Sequence, residues 1–198
     1  ARCLSSNKDM RLAAEQTLKG PEGFKENLDR DALLADLGKA LYAAKIISYT
    51  QGFGLLQAAA QEYGWQLDYA RIARIWRGGC IIRSAFLDNI SAAFTKKSDL
   101  DNLLFDSYFT DKVVSNQSSL RRIVSSAVMT GIALPCHASA LSYFDGLRCG
   151  ESPANLLQAQ RDYFGAHMYE RTNKPRGEWF HTNWTGEGGE TTSTAYTK

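Results

Sequence analysis

The chain has 198 residues and nearly balanced charge, 23 basic against 21 acidic side chains, for a formal net charge of +2. That length can bury a real core in one large domain or two small ones, and the balance excludes an extended basic face for nucleic acid. Hydrophobic content of 44% is ordinary for a soluble globule, and no run approaches the ~18 apolar residues of a membrane span, so no membrane partner is expected.

The first residues, Ala1-Arg2-Cys3-Leu4-Ser5-Ser6, carry no starting Met, as expected of a piece cut from something longer. Helical periodicity then dominates. Ser6 or Asn7 is suited to cap a helix over 7–19, with Leu12, Ala13 and Leu18 on its buried side and Gly20-Pro21 as its stop. A connecting loop follows. Leu34, Leu37, Leu41, Ala44 and Ile47 recur at three- and four-residue steps, which predicts a long helix over 31–63 ending at Gly64. Gly52 and Gly54 inside it each weaken a helix by ~1 kcal/mol relative to Ala, so close packing of a neighbouring helix is their expected use. Asp68 caps a helix over 68–76, and Gly78-Gly79 breaks the chain before another over 80–94.

Past a solvated Lys96-Lys97, the periodic Val113, Val114, Leu120, Val124 and Val128 predict a helix over 111–130 that ends near Gly131. Pro135 suits the first turn of a helix over 135–148 carrying Leu141, Tyr143, Phe144 and Leu147. Ser152-Pro153 is a cap followed by a first-turn proline, opening a helix over 153–169 whose apolar face is Leu156, Leu157, Tyr163 and Phe164. After Lys174-Pro175 the pattern stops. Residues 176–198 are rich in Gly and Thr yet hold Trp179, Phe180, Trp184 and Tyr196, more aromatics than a free tail carries. They read as an extended segment that packs on something else. No strand run stands out. The fold class is all-α, with 1–175 helical and 176–198 a tail.

Several chemical signatures are missing. The dinucleotide fingerprint GxGxxG needs a strand before it and a helix after it, whereas Gly52-Phe53-Gly54 lies within a helix and lacks the third glycine. There is no GxxxxGK[ST], HExxH or GxSxG. His137, His167 and His181 have no cysteine or carboxylate at ligand spacing, so no metal is expected. Cys3, Cys80, Cys136 and Cys149 show no CxxC spacing and read as buried thiols of a reducing, cytoplasmic compartment. Trp76-Arg77-Gly78-Gly79-Cys80 has two readings. It is a phosphate cradle at a helix start, or a tight turn that lets two helices meet, with Arg77 and Arg83 in ion pairs.

Arg161 and His167 also have two readings. They are a solvated helix arginine and a last-turn histidine, or an anion site in which a guanidinium fork and an imidazole donate to phosphate or carboxylate oxygens. On an ideal helix six residues separate them by roughly 9 Å along and about 120° around the axis. One small ligand touches both only if Arg161 wraps or the helix loosens at Gly165.

Arg161-Asp162-Tyr163-Phe164-Gly165-Ala166-His167, His181-Thr182-Asn183-Trp184-Thr185-Gly186-Glu187-Gly188-Gly189, Trp76-Arg77-Gly78-Gly79-Cys80-Ile81-Ile82-Arg83-Ser84 and the opening Ala1–Ser6 run together resemble the C-terminal part of 6-phosphogluconate dehydrogenases. The resemblance implies the second half of that family's helical domain plus its tail. It also implies NADP-dependent oxidation and decarboxylation of 6-phosphogluconate to ribulose 5-phosphate. By it, Arg161 and His167 reach substrate in a partner subunit's site, and Arg2 grips the substrate phosphate in its own. It further implies a homodimer whose tail threads into the other subunit, with Ser193, Thr194, Ala195 and Tyr196 approaching NADP. Where longer-tailed relatives often have Gly-His-Gly-Gly, this chain has Gly186-Glu187-Gly188-Gly189. The family's general-base lysine, its glutamate acid and its amino-terminal Rossmann unit have no counterpart here, so no catalytic residue is expected in this chain. A non-catalytic helical dimerisation module is the alternative. A binding protein for sugar-acid phosphates is a third.

Overall fold

The computed structural model describes residues 7–21 and 29–184. Among them run seven α-helices: α1 Lys8–Thr17, α2 Arg30–Tyr63, α3 Tyr69–Gly79, α4 Leu87–Lys96, α5 Ser107–Met129, α6 Pro135–Leu147 and α7 Ala154–Gly165. A 3₁₀ turn covers Leu103–Phe105, and two short strands, β1 Tyr169–Glu170 and β2 Trp179–Phe180, follow α7. The chain divides into two compact units, Ala1–Asp145 and Gly146–Lys198.

Helix boundaries follow from side chains that satisfy the unpaired amides of a first turn. Asn7 accepts from the Met10 amide at 3.1 Å, Asp29 from those of Asp31 and Ala32 at 3.1 Å, and Asp68 from that of Arg71 at 2.9 Å. Asp106 does the same for Tyr108 at 3.0 Å, so α5 starts four residues earlier than the valine pattern suggested. α2 stops at Gly64, whose φ of 67° is the left-handed conformation that glycine adopts without a Cβ penalty.

The first unit has an apolar core. One face of α2, with Ala40, Ala43, Ala44, Ile46, Ile47 and Phe53, packs on Leu87, Ile90 and Phe94 of α4, on Leu103, and on Phe109, Val113 and Leu120 of α5. The alanines lower the profile of α2. Phe53 is 1% exposed, and its ring centroid lies 5.2 Å from that of Phe94 and 5.3 Å from that of Trp76. Polar ties fix the helices around this core. Arg122 Nε and Nη2 donate to the two oxygens of Asp36, each at 2.7 Å, and Ser119 Oγ donates to the same carboxylate at 2.7 Å. Those bonds hold the Asp36 carboxyl well below the usual carboxylate range. Tyr42 and Tyr108 share a hydrogen bond of 3.0 Å, and burial with that bond pushes the Tyr42 hydroxyl up to about 12. Arg121 grips the Asp145 carboxylate with two guanidinium nitrogens.

Several sequence expectations need correction. α3 runs through Gly78-Gly79, and the next helix starts at Leu87 rather than at residue 80. The break is carried by residues 80–86. Leu12 and Ala13 on α1 and Leu18 just after it are exposed, and α1 buries none of its residues. In α2 the stripe Leu34, Leu37 and Leu41 is exposed, while Ala44 and Ile47 are buried. This helix is apolar on more than one face, and periodicity alone does not say which face meets its own chain. A Cβ built on Gly52 or Gly54 would meet nothing within 4 Å among the described residues, so these glycines serve no close helix contact there. Cys80, Cys136 and Cys149 are free as expected, but exposed rather than buried. The helix expected over 153–169 ends at Gly165, and Tyr169 and Glu170 pair with Phe180 and Trp179 in a short antiparallel ladder.

Candidate functional site

The second unit is built around one helix end. Ser152 Oγ accepts from the Ala154 amide at 3.1 Å and opens α7. At the other end Ala166 turns left-handed, φ 49° and ψ 42°, while its amide donates to the Asp162 carbonyl at 2.9 Å. Two residues on, Met168 is again left-handed with φ 60°. His167 thus sits between two non-glycine residues in a conformation that disfavours a Cβ. Such strain persists only where surrounding structure enforces it.

Asp162 enforces it. This residue is 0% exposed, and its carboxylate accepts four hydrogen bonds from the segment that follows the helix. Oδ1 receives the Met168 amide at 2.9 Å and the His181 Nδ1–H at 2.9 Å. Oδ2 receives the Thr182 amide at 3.0 Å and the Trp184 indole Nε1–H at 2.8 Å. Burial pushes the carboxyl up, but the donors from His181, Thr182, Trp184 and Met168 outweigh it and hold it below its ordinary 3.8. Between these donors the chain makes an antiparallel ladder, with Tyr169 opposite Phe180 and Glu170 opposite Trp179. Glu170 Oε1 accepts from the Gly177 amide at 2.8 Å, and Gly177, at φ 91°, makes the turn that returns the chain.

Arg161 lies on the exposed flank of α7, and its Nη1 donates to Gln158 Oε1 at 3.0 Å. The same Gln158 amide group donates through Nε2 to the Met168 carbonyl. Arg161 and the turn carrying the half-buried His167 are therefore joined through one glutamine. Of the two conditions for one ligand to touch both, the structure meets the second, because the helix ends at Gly165. An open groove of about 620 Å³ lies in this unit, lined by Asn155, Gln158, Tyr169, Arg171, Asn173 and Trp184; Arg161 and His167 are outside its lining.

The remaining candidates fall differently. Arg2 and the run Ser193, Thr194, Ala195 and Tyr196 lie outside the described residues. The phosphate-cradle reading of Gly78-Gly79 does not stand, because these glycines close the C-terminal end of α3, where carbonyls rather than amides are unpaired. Arg77 instead pairs with Asp88 at 3.0 Å. Among the described residues no three His, Cys, Asp or Glu side chains gather as a metal site would need, and no helix is long and apolar enough to cross a membrane. Sequence reasoning missed Asp162 and Gln158. The only signal for Asp162 was a carboxylate set among Tyr, Phe and Gly at the end of an amphipathic helix.

The fold matches that of a solved dehydrogenase. A structure of Plasmodium falciparum 6-phosphogluconate dehydrogenase, described with NADP+ as its cofactor and 6-phosphogluconate as its substrate, superposes with a TM-score of 0.84. It is 42% identical and covers 92% of this chain and 39% of that one. The family model for the 6-phosphogluconate dehydrogenase C-terminal domain matches residues 1–184, and the chain belongs to that family. The decarboxylating human enzyme is 55% identical over 196 residues, 99% of this chain and 40% of its own length. The pig relative is 54% identical over 196 residues, which cover 78% of it. This chain thus spans about two-fifths of the human protein's length.

Proposed function

We propose that the chain is the substrate-binding and dimerisation part of an NADP-dependent, decarboxylating 6-phosphogluconate dehydrogenase that works in the cytoplasm as a homodimer. The observation that supports this most is the match along 99% of the chain at 55% identity to the human decarboxylating enzyme. In this reading Arg161 offers its planar fork to substrate phosphate oxygens and His167 donates a further hydrogen bond, both in the partner subunit's site. Arg2 grips the phosphate within its own subunit. The proton-transfer lysine and glutamate come from sequence upstream. NADP, held chiefly by an upstream Rossmann domain, would supply the hydride acceptor, with Ser193, Thr194, Ala195 and Tyr196 near it. Exposed leucines on α2 (Leu34, Leu37, Leu41) and exposed Leu156, Leu157 and Phe164 on α7 suit burial against the rest of the domain and a second subunit.

The chain by itself has no dehydrogenase activity in this reading, because its binding groups cannot replace general acid–base steps worth ~10² to 10⁴ each. NADPH formation above background from the purified chain and 6-phosphogluconate refutes that. In the full-length enzyme, Arg161→Ala removes a charge-assisted contact of about 1.5–3 kcal/mol, a ~10- to 150-fold loss in kcat/KM expressed mainly in KM. Arg161→Lys restores it only partly. Mixing Arg161→Ala subunits with subunits lacking the upstream lysine restores partial activity when the arginine acts across the interface. Proven heterodimers without recovery sink the cross-subunit arrangement.

A further inference from the structure

The groups that would meet substrate, Arg161 and His167, are both held by residues that the function above leaves unused. His167 has no helix to define its position, since α7 ends at Gly165 and two strained residues flank it. The turn that carries it is tied down by the Asp162 carboxylate, which takes the Met168 amide on one oxygen while the His181 ring, the Thr182 amide and the Trp184 indole complete its shell. Every donor comes from the chain after the helix, so the carboxylate ties the whole 166–184 segment to the last turn of α7. Gln158, one turn earlier on α7, makes the second tie by accepting from Arg161 and donating to the Met168 carbonyl. Residues at i and i+4 lie one above the other on a helix, and here both reach Met168, one through its amide and the other through its carbonyl.

We propose that Asp162 and Gln158 are positioning residues that hold His167 and Arg161 in a single geometry for the substrate, with Asp162 acting from a buried place that substrate never reaches. The proposal rests on the reading of Arg161 and His167 as substrate contacts. A carboxylate suits the role better than a neutral group, because a side-chain amide offers one acceptor oxygen and would aim its NH₂ at two of the four donors. A small displacement of a binding group away from the chemistry is enough to cost catalysis heavily.

The test uses the full-length enzyme. Asp162→Asn, Gln158→Ala, His167→Ala, Arg161→Ala and the doubles Asp162→Asn/His167→Ala and Gln158→Ala/Arg161→Ala are compared in kcat, KM for 6-phosphogluconate and Kd for NADP+. Asp162→Asn is expected to raise KM for 6-phosphogluconate about 10-fold or more, with Kd for NADP+ unchanged. Each double is expected to be hardly worse than its His167 or Arg161 single, because the positioning residue has nothing left to position. Additive losses in both doubles, or NADP+ affinity falling in parallel with substrate affinity, overturn the proposal in favour of a general folding role. If Asp162→Asn does not fold, Gln158→Ala decides the matter by the same cycle, since its side chain is only half-buried on a helix surface. A KM unmoved in His167→Ala and Arg161→Ala removes the underlying functional reading. A KM raised in those two but unmoved in Asp162→Asn and Gln158→Ala removes the positioning proposal alone.

Discussion

The two units of this chain use opposite materials for the same task. From Ala1 to Asp145 the centre is apolar, with Phe53, Ile46, Ile47, Leu87 and Phe109 essentially out of water and ion pairs such as Asp36–Arg122 arranged around them. From Gly146 onward the centre is a charge. α7 buries Asp162 and Gly165 and leaves Leu156, Leu157 and Phe164 exposed, the reverse of an amphipathic helix facing its own core. An apolar core gains from many small, non-directional contacts and tolerates changes in shape, whereas a buried carboxylate demands a donor at each lone pair and specifies one geometry. The first suits a scaffold. The second suits a segment whose backbone must stay in an unfavourable conformation around His167.

The contrast can be broken most forcefully from the scaffold side. Phe53→Ala in the full-length protein is expected to cost about 3–5 kcal/mol of global stability, seen as a lower denaturant midpoint with all probes moving together. A loss confined to residues 146–184 contradicts the division of labour. Acid acts next, and on the second unit first. The Asp162 carboxyl is depressed in the folded state, so its stabilisation is fully present above the ordinary value of 3.8 and is lost as pH falls through the depressed one. On acidification below about pH 4, hydrogen exchange at the Met168 and Thr182 amides is therefore expected to accelerate before that of the buried turns of α2. The opposite order, with α2 opening first, would make the charged centre the sturdier of the two. The smallest effect belongs to a cap. Asp68→Ala removes the acceptor of the Arg71 amide and should lower stability by about 1 kcal/mol, measured by thermal unfolding, without altering the kinetics expected of Arg161 and His167.

The helices were largely legible because their signals are local. Asp68, Gly64 and Ser152 act on amides or carbonyls a few residues away, Pro135 brings a preset φ and no amide of its own, and each stands at the end of a helix as its chemistry requires. Which stripe of a helix faces its own chain was not legible. Leu34, Leu37 and Leu41 share the spacing of a core stripe, and an apolar face meant for another surface has the same period. Arg161 and His167 were legible as residue types, and the end of α7 at Gly165 was foreseen only as an option. The role of Asp162 was not legible. Its donors lie up to 22 residues downstream in a stretch with no periodicity, brought to it by a two-residue ladder too short to leave an alternating pattern.

The four-donor shell of Asp162 also imposes an order on synthesis. Three of its donors, at residues 181, 182 and 184, follow the carboxylate by 19 to 22 positions. At about 5–20 residues per second a ribosome needs roughly 1–4 s to add that stretch. Until His181 has been added, the Asp162 carboxylate has only the Met168 amide of its four donors, and the shell is complete only with Trp184. A message cut short between Met168 and His181 yields a product whose last helix carries that charge with one donor instead of four. The length of chain beyond α7 is thus a checkpoint on the molecule's own completion.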